Sequence, residues 1–99
     1  MKEIGTEKRL YISGAVTGTQ DAEERFSKAE EKFTAAGYTV LNPQKMCATL
    51  PELEHAEYMK LCFVLLDMCE YFHSMPGWEN SRGANQEYGY ALAKEKTFV

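Results

Sequence analysis

Residues 76–91 place a carboxylate in an unusual setting. A Pro-Gly turn and a short loop precede a helix that the sequence predicts to begin near Gly83 or Ala84. Glu87 then lies one turn into this helix. Its neighbours on the same helical face are Gly83, Ala84 and Ala91, small residues suited to close packing against a sheet. The pattern therefore predicts an inward-facing acid, which needs polar partners and is able to do chemistry.

A simpler interpretation of Glu87 stays open at this point. A glutamate in the first turn of a helix is also stabilised by the positive end of the helix dipole, by about 0.3–1 kcal/mol. Spacing alone does not separate a reactive carboxylate from one that only stabilises its helix.

The elements that position this helix alternate between strand and helix. The clearest helix covers residues 21–36, where apolar side chains recur at helical spacing, Asp21 and Glu24 have capping-box spacing, and Gly37 marks the end. A second helix is predicted to start around residues 49–51, with Pro51 at an early position, and to end near residues 68–69. The helix of Glu87 is predicted to reach about residue 94. Strands are predicted at residues 9–13, 38–41, 71–75 and 97–99.

This order predicts one α/β domain over residues 1–99. We expect a doubly wound, Rossmann- or flavodoxin-like parallel sheet of about four strands with helices on both faces. Ligands of such sheets bind beyond the carboxyl ends of the strands, where the loops at residues 13–19, 42 onward and 76–82 begin. Gly14 and Gly18 would let backbone amides approach a ligand there, and the third helix would direct its N-terminus at an anion. A Gly-x-x-x-Gly loop by itself is usually a simple turn, and it is the position of this one after the first strand that favours a ligand site.

Composition restricts the classes of function. The chain has 99 residues and a net charge of −4, which argues against binding a nucleic-acid polymer. It contains no apolar run long enough to span a membrane and does not begin like a signal peptide, so we expect a cytoplasmic protein. Three cysteines without CxxC spacing predict free thiols rather than disulfides or a zinc site. His55 and His73 lack the companions of a metal site or catalytic triad, and no metal or cofactor is predicted.

Several segments resemble one known superfamily. Tyr11-Ile12-Ser13-Gly14 at the end of a strand, and the Ser-Arg-Gly-Ala-x-x-Glu-x-x-x-Ala helix at residues 81–91, are similar to the nucleoside 2-deoxyribosyltransferase-like superfamily. The closer similarity is to its small, uncharacterised phage-type branch, which has a Leu-Pro-Gly-Trp-Glu-x-Ser-Arg-Gly-Ala signature; here Met75 replaces the Leu. The resemblance covers nearly the whole chain, through residues 10–18, 37–43, 58–70 and 75–99.

The resemblance implies cleavage of an N-glycosidic bond. Glu87 is at the position of the nucleophile that forms a covalent glycosyl ester, and Tyr11 matches a tyrosine that orients it. Tyr11 could equally be a packing residue at the strand end. Glu70 is identified with a family aspartate that acts at the leaving base, one methylene longer here, while Asp67 is interpreted as a helix-end residue. Cys62 is a second departure, since the branch usually has aspartate there.

The resemblance also implies a phosphorylated ligand. Relatives that hydrolyse nucleoside 5′-monophosphates have serine six residues before the nucleophile, as at Ser81, where an acid would repel phosphate. Ala15 departs from these relatives, so that Thr17 or backbone amides would replace a serine. Arg82 could be a solvated rim charge. Trp78 could stack on a base or cover the pocket, or it could instead cover the sheet edge or form a subunit contact. The predicted substrate-binding residues are Ser13, Gly14, Thr17, Gly18, Trp78, Ser81, Arg82 and Gly83.

The sequence thus predicts N-glycosidic cleavage or base exchange on a 2′-deoxynucleoside, favouring the 5′-monophosphate. The catalytic residues would be Glu87, Glu70 and Tyr11, and a homodimer or larger homo-oligomer is expected because relatives complete their pockets with a neighbouring subunit. The alternative is a nucleotide-binding module without catalysis, such as a sensor or sequestering protein.

Overall fold

A four-stranded parallel sheet forms the centre of the molecule. The computed structural model describes residues 8–16 and 20–99. The strands are β1 (Arg9–Ser13), β2 (Thr39–Leu41), β3 (Tyr71–Ser74) and β4 (Thr97–Phe98), in the order β2-β1-β3-β4. All three neighbouring pairs are parallel. The predicted α/β class and parallel sheet are therefore confirmed.

Four helices connect and cover these strands. They are α1 (Ala22–Ala35), α2 (Pro43–Cys47), α3 (His55–Asp67) and α4 (Arg82–Ala93), and a 3₁₀ turn (Trp78–Asn80) precedes α4. None of the helices in the described part of the chain has the length and apolar character needed to cross a membrane.

The two faces of the sheet have separate cores. Leu10 and Ile12 pack with Phe26 and Phe33 on the side of α1. Tyr11, whose side chain points to the opposite face, packs with residues of α3, β3 and α4. Helices on both faces, as predicted, follow from this alternation along the central strand.

The first helix ends as the sequence predicts but begins differently. Gly37 follows it with φ +100°, a conformation that glycine adopts without strain. The predicted capping box is absent, because the Asp21 carboxylate makes no hydrogen bond to the helix N-terminus. It accepts instead from Arg25 Nε at 3.0 Å.

The predicted start of the second helix at residues 49–51 is wrong. A short helix, α2, begins earlier, where the Asn42 side chain accepts from Lys45 N at 3.1 Å and Pro43 occupies the first helical position. The next helix, α3, begins only at His55, and the Glu57 carboxylate accepts from Glu54 N at 2.9 Å. This local cap fixes the helix start four residues beyond Pro51.

Candidate active site

Glu87 is the centre of the candidate site. It is only 4% exposed, and it lies in the second turn of α4, which Ser81 caps by accepting from Ala84 N at 3.2 Å. Glu87 Oε2 accepts from Tyr11 Oη and Oε1 accepts from Ser13 Oγ, both at 2.6 Å. Tyr11 and Ser13 are two residues apart on β1 and so face the same side of the sheet. The strand and the helix together hold the carboxylate in one orientation.

Burial dominates the electrostatics of this carboxylate. It raises the pKa of Glu87 above its ordinary value, although hydrogen bonds from Ser13, Tyr11 and Cys62 act in the opposite direction. Burial, together with the negative charge of Glu87, also raises the pKa of Tyr11 well above its ordinary value. Tyr11 therefore remains a neutral donor to the carboxylate at all physiological pH values.

Cys62 completes the polar contacts of this cluster. Its side chain is fully buried on α3, beside Tyr11, Tyr58 and Glu87. Burial and the charge of Glu87 raise the pKa of Cys62 to about 12. The thiol is therefore neutral near pH 7, and it supplies a weak hydrogen bond where an aspartate would supply a second negative charge.

A cavity of about 360 Å³ lies beside Glu87 at the carboxyl ends of β1 and β3. Its wall comes from the loop after β1, from α1, α2 and α3, and from the N-terminal part of α4. Glu87 lines it together with three predicted residues at the start of α4, Ser81, Arg82 and Gly83. The cavity lies where the sheet topology predicts a ligand.

Two glycines in the cavity wall lie where any larger side chain would crowd neighbouring atoms. A Cβ at Gly83 would lie 3.3 Å from Met59 Sδ and 3.6 Å from His55 Cε1, so glycine there permits α3 and α4 to approach closely. A Cβ at Gly14 would lie 3.2 Å from Met75 Cβ. Gly14 lines the cavity, and its missing side chain lets the ends of β1 and β3 meet there.

Glu70, predicted to be a catalytic acid, does not line this cavity. It is exposed and immediately precedes β3, whereas Ser13, the partner of Glu87, pairs with Ser74 at the other end of that strand. Four residues of extended chain separate Glu70 from Ser74, about 13 Å at 3.3 Å per residue. The strand itself holds Glu70 away from the carboxyl ends where the cavity lies.

Trp78 does not line the cavity. Its ring stacks on Tyr88 at 4.5 Å between centroids, and Tyr88 makes an edge contact with Phe98 at 5.2 Å. Because Phe98 is in the edge strand β4, the structure supports the alternative in which Trp78 covers the sheet edge. The predicted substrate contacts Thr17 and Gly18 lie outside the described residues.

Sequence reasoning missed the contribution of α3. His55 and Tyr58 line the cavity, although the sequence assigns no chemistry to His55. His55 Nε2 lies 3.0 Å from Gln86 Oε1 of α4. His55, Tyr58, Met59 and Cys62 recur at i, i+3, i+4 and i+7, which is the signal that they share one helical face.

Comparison with known proteins agrees with this architecture. The family described as "Domain of unknown function (DUF4406)" matches residues 8–99. No curated protein matches the chain. Among solved structures, a 2-desoxiribosyltransferase from Leishmania mexicana superposes with a TM-score of 0.69 at 18% sequence identity. The superposition covers 93% of this chain and 62% of the Leishmania mexicana chain. This chain therefore spans less than two thirds of the length of the Leishmania mexicana protein. The likeness is one of fold, and the matched range shows that this chain belongs to the DUF4406 family.

Proposed function

We propose that this protein cleaves or exchanges the N-glycosidic bond of 2′-deoxynucleoside 5′-monophosphates, with Glu87 as the nucleophile. The observation that carries the proposal is the buried Glu87 carboxylate, held by Tyr11 and Ser13 at the wall of a small cavity. The fold shared with a 2-desoxiribosyltransferase supports the same class of reaction.

The geometry suits attack on an anomeric carbon. A carboxylate has about four lone-pair sites, and the two hydrogen bonds from β1 leave others for the substrate. In the proposed reaction one oxygen of Glu87 attacks C1′, the base departs, and a glycosyl ester forms. Water or a second base then attacks the same carbon and releases Glu87. A 2-deoxy sugar favours this course because its anomeric carbon ionises more readily.

The first turn of α4 supports the choice of a phosphorylated substrate. Ser81 and Arg82 line the cavity, and the amide groups of the helix N-terminus lie beside them. Ser81 Oγ accepts a hydrogen bond from Ala84 N, which leaves its own proton available for a phosphate oxygen. An anion is favoured at this end of a helix by both the dipole and the unpaired amides.

A second candidate function, nucleotide binding without catalysis, has one observation in its favour. Among the described residues that line the cavity, Glu87 is the only carboxylate. Cys62, which contacts Glu87, is neutral near pH 7. A site of this kind binds a nucleotide without turnover if nothing assists departure of the base.

One experiment distinguishes the two functions. The protein is incubated with the common 2′-deoxynucleosides and their 5′-monophosphates, with and without acceptor bases, and released base is measured by chromatography. The enzyme hypothesis predicts base release from monophosphates that disappears in Glu87→Gln. Nucleotide affinity without base release in the parent protein would support the binding module instead.

A further inference from the structure

A proton assists the departure of an uncharged base from a nucleoside, in addition to the nucleophile. The bonding electrons of the C1′–N bond remain on the base, and a proton delivered there accelerates the step by about 10²–10⁴-fold. Glu87 cannot supply this proton while it acts as the nucleophile. The proton donor must therefore be another group that reaches the cavity.

Few side chains along the cavity wall fit that requirement. Among its described residues, the titratable ones besides Glu87 are His55, Tyr58 and Arg82. Burial raises the pKa of Tyr58 far above its ordinary value, and a guanidinium does not release its proton in proteins. Imidazole is the side chain suited to giving and regaining a proton near neutral pH.

The position of His55 relative to Glu87 suits a pair that acts on one bond. His55 Cε1 lies 3.6 Å from the point where a Cβ on Gly83 would lie. Gly83 and Glu87 are one helical turn apart on the same face of α4, a separation of about 5–6 Å between Cβ positions. His55 and Glu87 thus line one cavity, and His55 lies beside the turn of α4 that precedes Glu87.

We propose that His55 is the general acid that protonates the leaving base, acting through Nδ1 while Gln86 holds Nε2. This assignment rests on the proposed function. Donation of Nε2–H to Gln86 Oε1, at 3.0 Å, leaves Nδ1 as the nitrogen that gains and loses the proton.

The proposed steps balance in protons and electrons. As Glu87 bonds to C1′, the C1′–N bond breaks, and the base takes the bonding pair and the Nδ1 proton of His55. A water molecule or an acceptor base then attacks C1′ and loses a proton to His55, while Glu87 leaves as a carboxylate. His55 is exposed at the cavity rim, so it also exchanges protons with solvent between turnovers.

The test compares substrates that differ in their need for a proton. The first is the best natural 2′-deoxynucleoside 5′-monophosphate found for the parent protein. The second carries the same base methylated at a ring nitrogen (7-methyl for guanine, 3-methyl for cytosine), which is cationic and leaves as a neutral molecule unaided. We expect His55→Gln to lower kcat on the natural substrate by about 100-fold and to leave the methylated one nearly unchanged.

Other outcomes overturn the assignment. Equal losses on both substrates mean that His55 only shapes the cavity, and no loss on either means that it has no role. If the parent protein releases base from neither substrate, the proposed function is wrong, and the assignment of His55 as general acid is wrong as well. Circular dichroism of the variant checks that the fold is retained. Gln86→Leu should lower kcat in the same substrate-selective way but by a smaller factor.

Discussion

The two faces of β1 differ in what they contribute to the molecule. Leu10 and Ile12 face α1 and pack with apolar side chains in their core. Tyr11 and Ser13, the alternate residues of the same strand, both donate hydrogen bonds to Glu87. One short strand thus builds a stabilising core on one side and a polar site on the other. We therefore expect substitutions on the α1 side of the sheet to lower stability, and substitutions on the Glu87 side to lower activity.

The largest effect is expected at Glu87. Glu87→Gln keeps the size of the side chain but cannot form a glycosyl ester, so base release should fall by at least roughly 10³-fold. Steady-state kinetics measure the loss, and nucleotide binding by calorimetry should persist. The matched control is Glu70→Gln, which removes an exposed carboxylate at the other end of β3 and should leave kcat unchanged. Retained turnover in Glu87→Gln would remove the nucleophile assignment.

A substitution on the α1 side of the sheet should change stability but not activity. Leu10 is fully buried beneath α1, so Leu10→Ala should lower the free energy of unfolding by about 2–5 kcal/mol through lost burial and a residual cavity. Urea denaturation measures this change. At temperatures where the variant remains folded, kcat should stay within about threefold of the parent, since the cost is in stability rather than in transition-state binding. A large loss of kcat in fully folded Leu10→Ala would show that the two faces are coupled.

A smaller, more selective effect is expected at the start of α4. The parent should bind a 5′-monophosphate more tightly than its nucleoside, by roughly tenfold or more, and Ser81→Asp should erase that preference through charge repulsion. Aspartate is itself a good N-cap, so the helix is preserved. Ser81→Asn, a neutral N-cap, is the control that retains the preference. Equal affinity of the parent for both ligands, measured by calorimetry, contradicts a phosphate site here.

The smallest effect concerns stability as a function of pH. The raised pKa of Glu87 means that the folded protein favours the protonated carboxyl, so this group stabilises the fold below its ordinary pKa and loses that contribution as pH rises through the raised value. Glutamine has no such titration. The Tm of Glu87→Gln should therefore exceed that of the parent at pH 7 by a few degrees, about 4–8 °C for each kcal/mol, and the difference should shrink toward pH 4. A difference that grows toward pH 4 contradicts the raised pKa.

Much of this architecture follows from local pattern. The small residues around Glu87 correctly predict that it faces inward, because helical spacing alone decides which side chains share a face. The alternation of strands and helices likewise predicts the parallel sheet. The topological rule for ligand sites also argues against Glu70, which precedes a strand rather than following one. For Glu70 the family resemblance and the rule of topology thus lead to different predictions, and the Glu70→Gln variant distinguishes them.

The role of α3 could not be predicted in the same way. Periodicity shows that His55, Tyr58 and Cys62 share a helical face, but it does not show which part of the molecule that face meets. The close approach of α3 and α4 at Gly83 and Met59 decides this, and it is a tertiary contact between residues distant in sequence. The start of α3 differs from the predicted start at residues 49–51 because a cap between Glu54 and Glu57 determines it, rather than Pro51.

In the proposed reaction Glu87 becomes covalently bound to the sugar. The most direct test of this step is mass spectrometry of the protein after reaction with a 2-fluoro-2-deoxyarabinosyl nucleoside 5′-monophosphate, whose fluorine slows the release of a glycosyl ester. We expect the mass of the intact protein to increase by that of one sugar phosphate. Peptide sequencing should map this adduct to Glu87, and the adduct should be absent from Glu87→Gln. Base release from that analogue with no adduct, or an adduct on another residue, would contradict this step.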